Sequence, residues 1–158
     1  MKAPLTFVLC CFLHIAIRAQ DTLPLQVCLP LRNLSVTSGF GFRNHPLTGR
    51  FTFHAGVDLR ARHDTVFAVL PGTVSIGYNS LLGVYVKITN GELEMVFGHL
   101  SLVLIAPGEE AFPGTAVAIT GATGRVTGEH LHFSVMFGDN YIDPLLFLAS
   151  IRQHSRSP

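Results

Sequence analysis

Apolar and polar positions along this chain alternate in steps of one and two, with little of the three-and-four spacing of an amphipathic helix. Thr73-Val74-Ser75-Ile76-Gly77-Tyr78 alternates as a half-buried strand does. Asp64 to Leu70 is an apolar run closed by Pro71-Gly72, so these two stretches are expected to form a hairpin. Val84 to Thr89 and Glu92 to Phe97 flank Asn90-Gly91, a pair that accepts the positive φ of a type I′ turn, and this is the strongest hairpin signal in the chain. In its second strand Leu93, Met95, Phe97 and His99 share a face, which puts His99 at the end of an inward row. Thr115 to Thr120 reads as a further strand. In Glu129-His130-Leu131-His132-Phe133 the two imidazoles share one strand face, with Leu131 and Phe133 on the other. Asp143-Pro144 before Leu145-Leu146-Phe147-Leu148 has the form of an N-cap and first residue of a short closing helix.

This pattern predicts an all-β domain with an antiparallel sheet core, glycine-rich loops and a short C-terminal helix. The length of 158 residues suits one domain. Fifteen glycines and nine prolines agree with a turn-rich chain. Eleven Lys and Arg against ten Asp and Glu leave a formal charge of +1, so no basic footprint for nucleic acid or acidic lipid is present. Lys2, the apolar run Leu5 to Ile17 and Ala19 read as a signal peptide over residues 1–19, too short to persist as a membrane span, so no integral membrane segment is expected after its removal. Cys10 and Cys11 fall inside that signal, leaving Cys28 with no partner for an intrachain disulfide. Residues 20–37 are expected to be an extended lead-in lying on the domain, with residues 21–37 a candidate cover for the groove. Residues 38–149 are expected to be the domain proper and 150–158 a flexible tail.

Candidate chemistry centres on Phe53-His54-Ala55-Gly56-Val57-Asp58. On an extended or gently bent backbone His54 and Asp58, at i and i+4, offer a nitrogen and a carboxylate oxygen to one point. Zinc accepts both donors, and catalytic zinc sites use three protein ligands with a fourth position open, so a third ligand is expected from the two-histidine strand. Arg43 and His45 are candidates either for the site or for structural hydrogen bonds. Gly121 to Gly128 lacks the spacing and the Lys-Ser or Lys-Thr of a phosphate loop and precedes a strand, so anion binding is discounted. His63 and His154 read as solvated.

Ser38-Gly39-Phe40-Gly41-Phe42-Arg43, His54-Ala55-Gly56-Val57-Asp58, Gly98-His99-Leu100, Thr123-Gly124 with Thr127-Gly128, His130-Leu131-His132-Phe133 and Asp143-Pro144 occur in that order. In this the chain strongly resembles the LytM-type (lysostaphin-like) M23 family of zinc peptidases, from about Ser38 to Leu148. The resemblance implies a duplicated-hybrid-motif-like β-fold and one Zn2+ per chain held by His54, Asp58 and His132. It implies His99 and His130 as catalytic groups beside the open position, with His130 expected as base and His99 as stabiliser of the oxyanion. The substrate it implies is the peptide cross-links of peptidoglycan, met outside the cytoplasm, in the periplasm or beyond, by a monomer. Glu129 and Ser134 depart from the family's usual residues. A non-catalytic module that binds cell wall or regulates an amidase is the alternative. A carrier domain like the biotinyl and lipoyl carriers fits less well, because no lysine is displayed at a hairpin tip.

Overall fold

The computed structural model describes residues 26–44 and 49–155. The segment 1–19 expected to be a signal peptide, residues 20–25, the turn expected at Pro46 and residues 156–158 lie outside them. Twelve strands and one helix follow in order: β1 Val36–Ser38, β2 Gly41–Asn44, β3 Phe51–His54, β4 Val57–Arg60, β5 Thr65–Phe67, β6 Gly72–Asn79, β7 Gly83–Asn90, β8 Leu93–Val103, β9 Glu110–Ala111, β10 Ala116–Thr120, β11 His130–Phe137, β12 Asn140–Ile142 and α1 Pro144–His154. The main sheet runs β1-β4-β11-β8-β7-β6-β9, with β12 on β11 and β5 joined through β10 to β8. A separate two-stranded sheet is made by β2 and β3. Every one of these pairings is antiparallel, and the all-β expectation holds.

The core lies under the main sheet. Val57 and Leu59 of β4, Leu131, Phe133 and Val135 of β11, Met95 and Phe97 of β8, and Val86 and Ile88 of β7 are fully buried. Each such side chain contributes about 1.5–3 kcal/mol of hydrophobic stabilisation. Phe133 pairs across the ladder with Phe97, and their rings stack at 5.2 Å. The helix begins as expected: the Asp143 carboxylate accepts hydrogen bonds from the Leu145 and Leu146 N–H groups, and Leu148 and Ile151 bury against the core. It continues through His154, so residues 150–154, expected to belong to the tail, are helical, held by the buried Ile151.

Two hairpin expectations need correction. β5 does not pair with β6; it pairs with β10, while β6 lies between β7 and β9. The buried backbone of residues 67–70 is claimed instead by the lead-in and by Thr115: Cys28 N–H donates to the Val69 carbonyl, Phe67 N–H to the Pro30 carbonyl and Ala68 N–H to the Thr115 carbonyl. The β7–β8 hairpin forms, but Asn90 pairs with Leu93, so its loop is Gly91-Glu92 with positive φ at Gly91 alone. That is the pattern of a II′ loop, with glycine first, rather than of I′. The described part of the lead-in, residues 26–37, lies on the domain, and its last residues enter β1 on the edge of β4.

Candidate metal centre

His54 and Asp58 stand on different strands in different sheets. His54 ends β3 in the small sheet and Asp58 lies in β4 of the main one, with a bend at Ala55-Gly56 between them. The bend needs glycine: a Cβ on Gly56 would lie 2.6 Å from the Phe133 carbonyl oxygen and 2.8 Å from the His132 ring. His132 is the cross-strand partner of Asp58, so strand register alone brings these two together.

Three donor atoms converge. His132 Nδ1 is 3.0 Å from Asp58 Oδ1, His54 Nε2 is 3.2 Å from the same oxygen, and His54 Nε2 is 3.3 Å from His132 Nδ1. Ligand atoms about 2.1 Å from a tetrahedral zinc lie about 3.4 Å from one another, so the residues present fit such an ion. The outer atoms are anchored too. His54 Nδ1–H donates to the Gly39 carbonyl at 2.7 Å, which leaves Nε2 with its lone pair towards the centre. Burial works to raise the Asp58 carboxyl, but the imidazoles of His130, His132 and His54 gathered around it override burial and hold the group well below the usual carboxylate range. Arg43 Nη2 stands 3.5 Å from Asp58 Oδ2, and its Nε is buried with no hydrogen-bond partner among the described residues.

His99 and His130 complete the site. The sequence places His99 on the face of Phe97; the structure places it on the opposite face, with the other histidines. Between Val84↔Leu100 and Val86↔Phe97 two residues of β8, Gly98 and His99, oppose one residue of β7. This β-bulge puts His99 at φ +62 and turns its ring 4.7 Å from that of His130 and 5.8 Å from that of His132. A non-glycine residue there carries about 1 kcal/mol of strain or more. His99 Nδ1–H donates to the Thr123 carbonyl at 2.8 Å and His130 Nδ1–H to the Gly128 carbonyl at 2.9 Å, so both rings present Nε2 to the centre. Burial pushes His99 down to about 4 despite the Thr123 bond. Burial also depresses His130, but its contacts with Asp58 and the Gly128 carbonyl outweigh that and raise it.

The glycine-rich loop is therefore the wall that aims both rings. It is locked to the start of β7, where Val84 N–H donates to Thr123 Oγ1 and Thr123 Oγ1–H donates to the Leu100 carbonyl. Gly83 and Gly124, both at positive φ, touch so closely that a Cβ on either would approach the other segment's backbone to 2.3 Å. Glu129 accepts hydrogen bonds from the His63 N–H and from Thr120 Oγ1 at 3.1 Å, pinning the end of this loop to residues 62–64. His63 itself is exposed, as expected, at φ +54.

All five sequence candidates, His54, Asp58, His99, His130 and His132, line one cavity of about 250 Å³ together with Arg43, Phe53, Leu82 and Arg125. Residues 26–37 do not line it. His45 lies outside the described residues, and His154 bonds to the Ser150 carbonyl on α1, away from the site. What sequence reasoning missed is the set of carbonyls at Gly39, Thr123 and Gly128, which no side-chain pattern reveals.

A mostly antiparallel β-domain of this kind is shared with solved peptidases. The crystal structure of a zinc-containing peptidase from Vibrio cholerae superposes with a TM-score of 0.69 at 31% identity, covering 75% of this chain and 39% of that one. The catalytic domain of lysostaphin from Staphylococcus simulans gives 0.67 at 25% identity, covering 74% and 93%. The chain belongs to peptidase family M23, whose model matches residues 52–144. Among curated relatives, an uncharacterised metalloprotease of Haemophilus influenzae is 37% identical over 119 residues, 72% of this chain and 25% of that protein. The peptidoglycan DD-endopeptidase ShyB of Vibrio cholerae is 34% identical over 114 residues, 70% of this chain and 27% of that protein. The chain thus spans about a quarter of the length of these relatives.

Proposed function

We propose that this chain is an exported, zinc-dependent endopeptidase that hydrolyses the peptide cross-links of bacterial peptidoglycan as a monomer. The observation that carries the reading is the convergence of His54 Nε2, Asp58 Oδ1 and His132 Nδ1 within 3.0–3.3 Å of one another, under two further imidazoles. Zinc held by these three residues supplies a Lewis acid that polarises a carbonyl and lowers the pKa of water toward about 7. His54, Asp58 and His132 are the proposed ligands, and His99 and His130 the catalytic groups.

The two roles fall to His99 and His130, whose Nδ1–H groups are both committed to backbone carbonyls and whose Nε2 atoms both face the centre. One imidazole accepts a proton from the attacking water and returns it to the leaving amine. The other, carrying a proton on Nε2, donates to the oxyanion. Peptidoglycan lies outside the cytoplasm, which agrees with the export signal read at residues 1–19, and among the described residues no helix is long and apolar enough to cross a membrane.

The test is zinc content of the purified chain, followed on the same sample by release of new amino groups from peptidoglycan with and without chelator. One zinc per chain and chelator-sensitive release are expected. Zinc without release across several wall chemistries would transfer the chain to the binding or regulatory modules, and absence of zinc would overturn the centre.

A further inference from the structure

Beside the metal centre opens a second, larger cleft of about 770 Å³, which shares Arg43, Asp58, Thr127 and His130 with it. Its character is cationic. Arg43, Arg60 and Arg62 line it, and its two acids are already engaged: Asp58 by the imidazoles and Arg43, and Glu129 by the His63 N–H and the Thr120 hydroxyl. Among the described residues no carboxylate pairs with the guanidinium of Arg60 or Arg62, and both residues are exposed.

Strand geometry places these groups relative to the bond that is cut. Asp58 and Arg60 are i and i+2 on β4, so they share a face, and the buried Leu59 takes the other. Arg60 is the cross-strand partner of His130, as Asp58 is of His132. A step of two residues along a strand is about 7 Å. The buried Ala61 keeps the same alternation, leaving Arg62 on the exposed side one step further out. An extended substrate peptide advances about 3.3–3.6 Å per residue. A group held by Arg60 and Arg62 therefore sits one to a few residues from the scissile carbonyl.

We infer that Arg60 and Arg62, with Arg43 at the shared wall, form a subsite for a free carboxylate carried by the substrate peptide close to the scissile bond. Guanidinium matches carboxylate in planar, two-point fashion, which a carboxamide cannot reproduce. The inference rests on the peptidase reading and deepens it. A plain glycine bridge has no free carboxylate along its length; a cross-link in which a residue next to the cut bond keeps a free carboxyl has one. The subsite selects the second kind.

The experiment compares two synthetic cross-linked peptides, identical but for a free carboxyl or a carboxamide on the residue beside the scissile bond. Both are tested on the zinc-loaded chain and on Arg60→Gln/Arg62→Gln. Cleavage of the acid with kcat/KM at least about tenfold above the amide is expected, the scale of a hydrogen bond to a charged group. In the double variant that ratio falls toward one, and added salt lowers it in the parent chain. Equal cleavage of the two peptides by the parent, or an unchanged ratio in the variant, overturns the subsite and leaves the peptidase reading standing. If neither peptide is cut, anisotropy with the labelled peptides decides: tighter binding of the acid, lost in the variant, keeps the subsite and removes the hydrolysis, whereas equal or absent binding removes the subsite. Should the double variant fail to fold, Arg62→Gln alone, outside any strand, carries the same comparison.

Discussion

At the scale of single residues the two kinds of histidine differ in what they are tied to. His54 and His132 bring one nitrogen each within 3.3 Å of one another and of Asp58 Oδ1, whereas His99 and His130 are aimed by the Thr123 and Gly128 carbonyls, with His130 Nε2 at 3.5 Å from that oxygen. His54→Ala and Asp58→Ala are therefore expected to lose zinc and activity together, while His99→Gln and His130→Gln keep zinc, as metal analysis of the four purified variants would check. The last two should differ from each other. A glutamine amide can still donate to an oxyanion but cannot take up a proton, so the variant of the base should lose about a hundredfold or more and the variant of the oxyanion donor less. A deeper loss in His130→Gln keeps the expected assignment of His130 as base; a deeper loss in His99→Gln reverses it.

His99 also fixes a pH dependence. Its folded pKa of about 4 lies below the ordinary histidine value of about 6.5, so between those values the unfolded chain binds more protons than the folded one. Stability contributed by His99 is full above about pH 6.5 and is lost as pH falls towards 4, up to about 3 kcal/mol. His132, also lowered, acts in the same direction, while the raised His130 adds stability below its unfolded pKa and loses it as pH rises. Urea midpoints of chelated protein should fall across that window, and His99→Gln should flatten the slope.

At the scale of elements, the sequence reveals strands where alternation is strict and fails where backbone geometry interrupts it. The pair His130 and His132 opposite Leu131 and Phe133 was legible because β11 is regular. The partner strand β8 is not regular: the bulge at Gly98-His99 reverses the face on which His99 falls, and no count of alternating residues registers an inserted position. The supposed β5–β6 hairpin failed for a related reason. Pro71-Gly72 signals a change of direction but not which strand pairs on the far side: β5 pairs with β10 and β6 with β7. The helix cap, the central hairpin and the meeting of His54 and Asp58 with the two-histidine strand were legible because each depends on local spacing or on a particular side chain, whereas His99 was marked only by the family resemblance. The use of the glycine loop as a wall depends on Gly83 and Gly124, distant in sequence, which no local spacing registers. Gly124→Ala should push the loop off β7, carrying the Thr123 carbonyl away from His99. Activity should fall by about tenfold or more with zinc content unchanged, measured on one sample.

At the scale of the whole molecule, the proposed ligands come from separately hydrogen-bonded parts. His54 belongs to the β2–β3 sheet, which also carries Arg43, whereas Asp58 and His132 belong to the main sheet. The outer side of the small sheet is aromatic, with Phe42 and Phe51 stacked at 5.5 Å and Phe53 edge-on to Phe42 at 5.2 Å, and little of it is buried in the core. An ion gripping all three ligands works as a rivet between a large plate and a small one. A ligand bound only by the joined state adds about 4 kcal/mol when its concentration is a thousand times its Kd, and that gain falls on the joint rather than on the core. Amide hydrogen exchange in Gly41–Asn44 and Phe51–His54 should slow on zinc loading far more than in β7 or β8, so metal occupancy would be legible as the stiffness of one small hairpin.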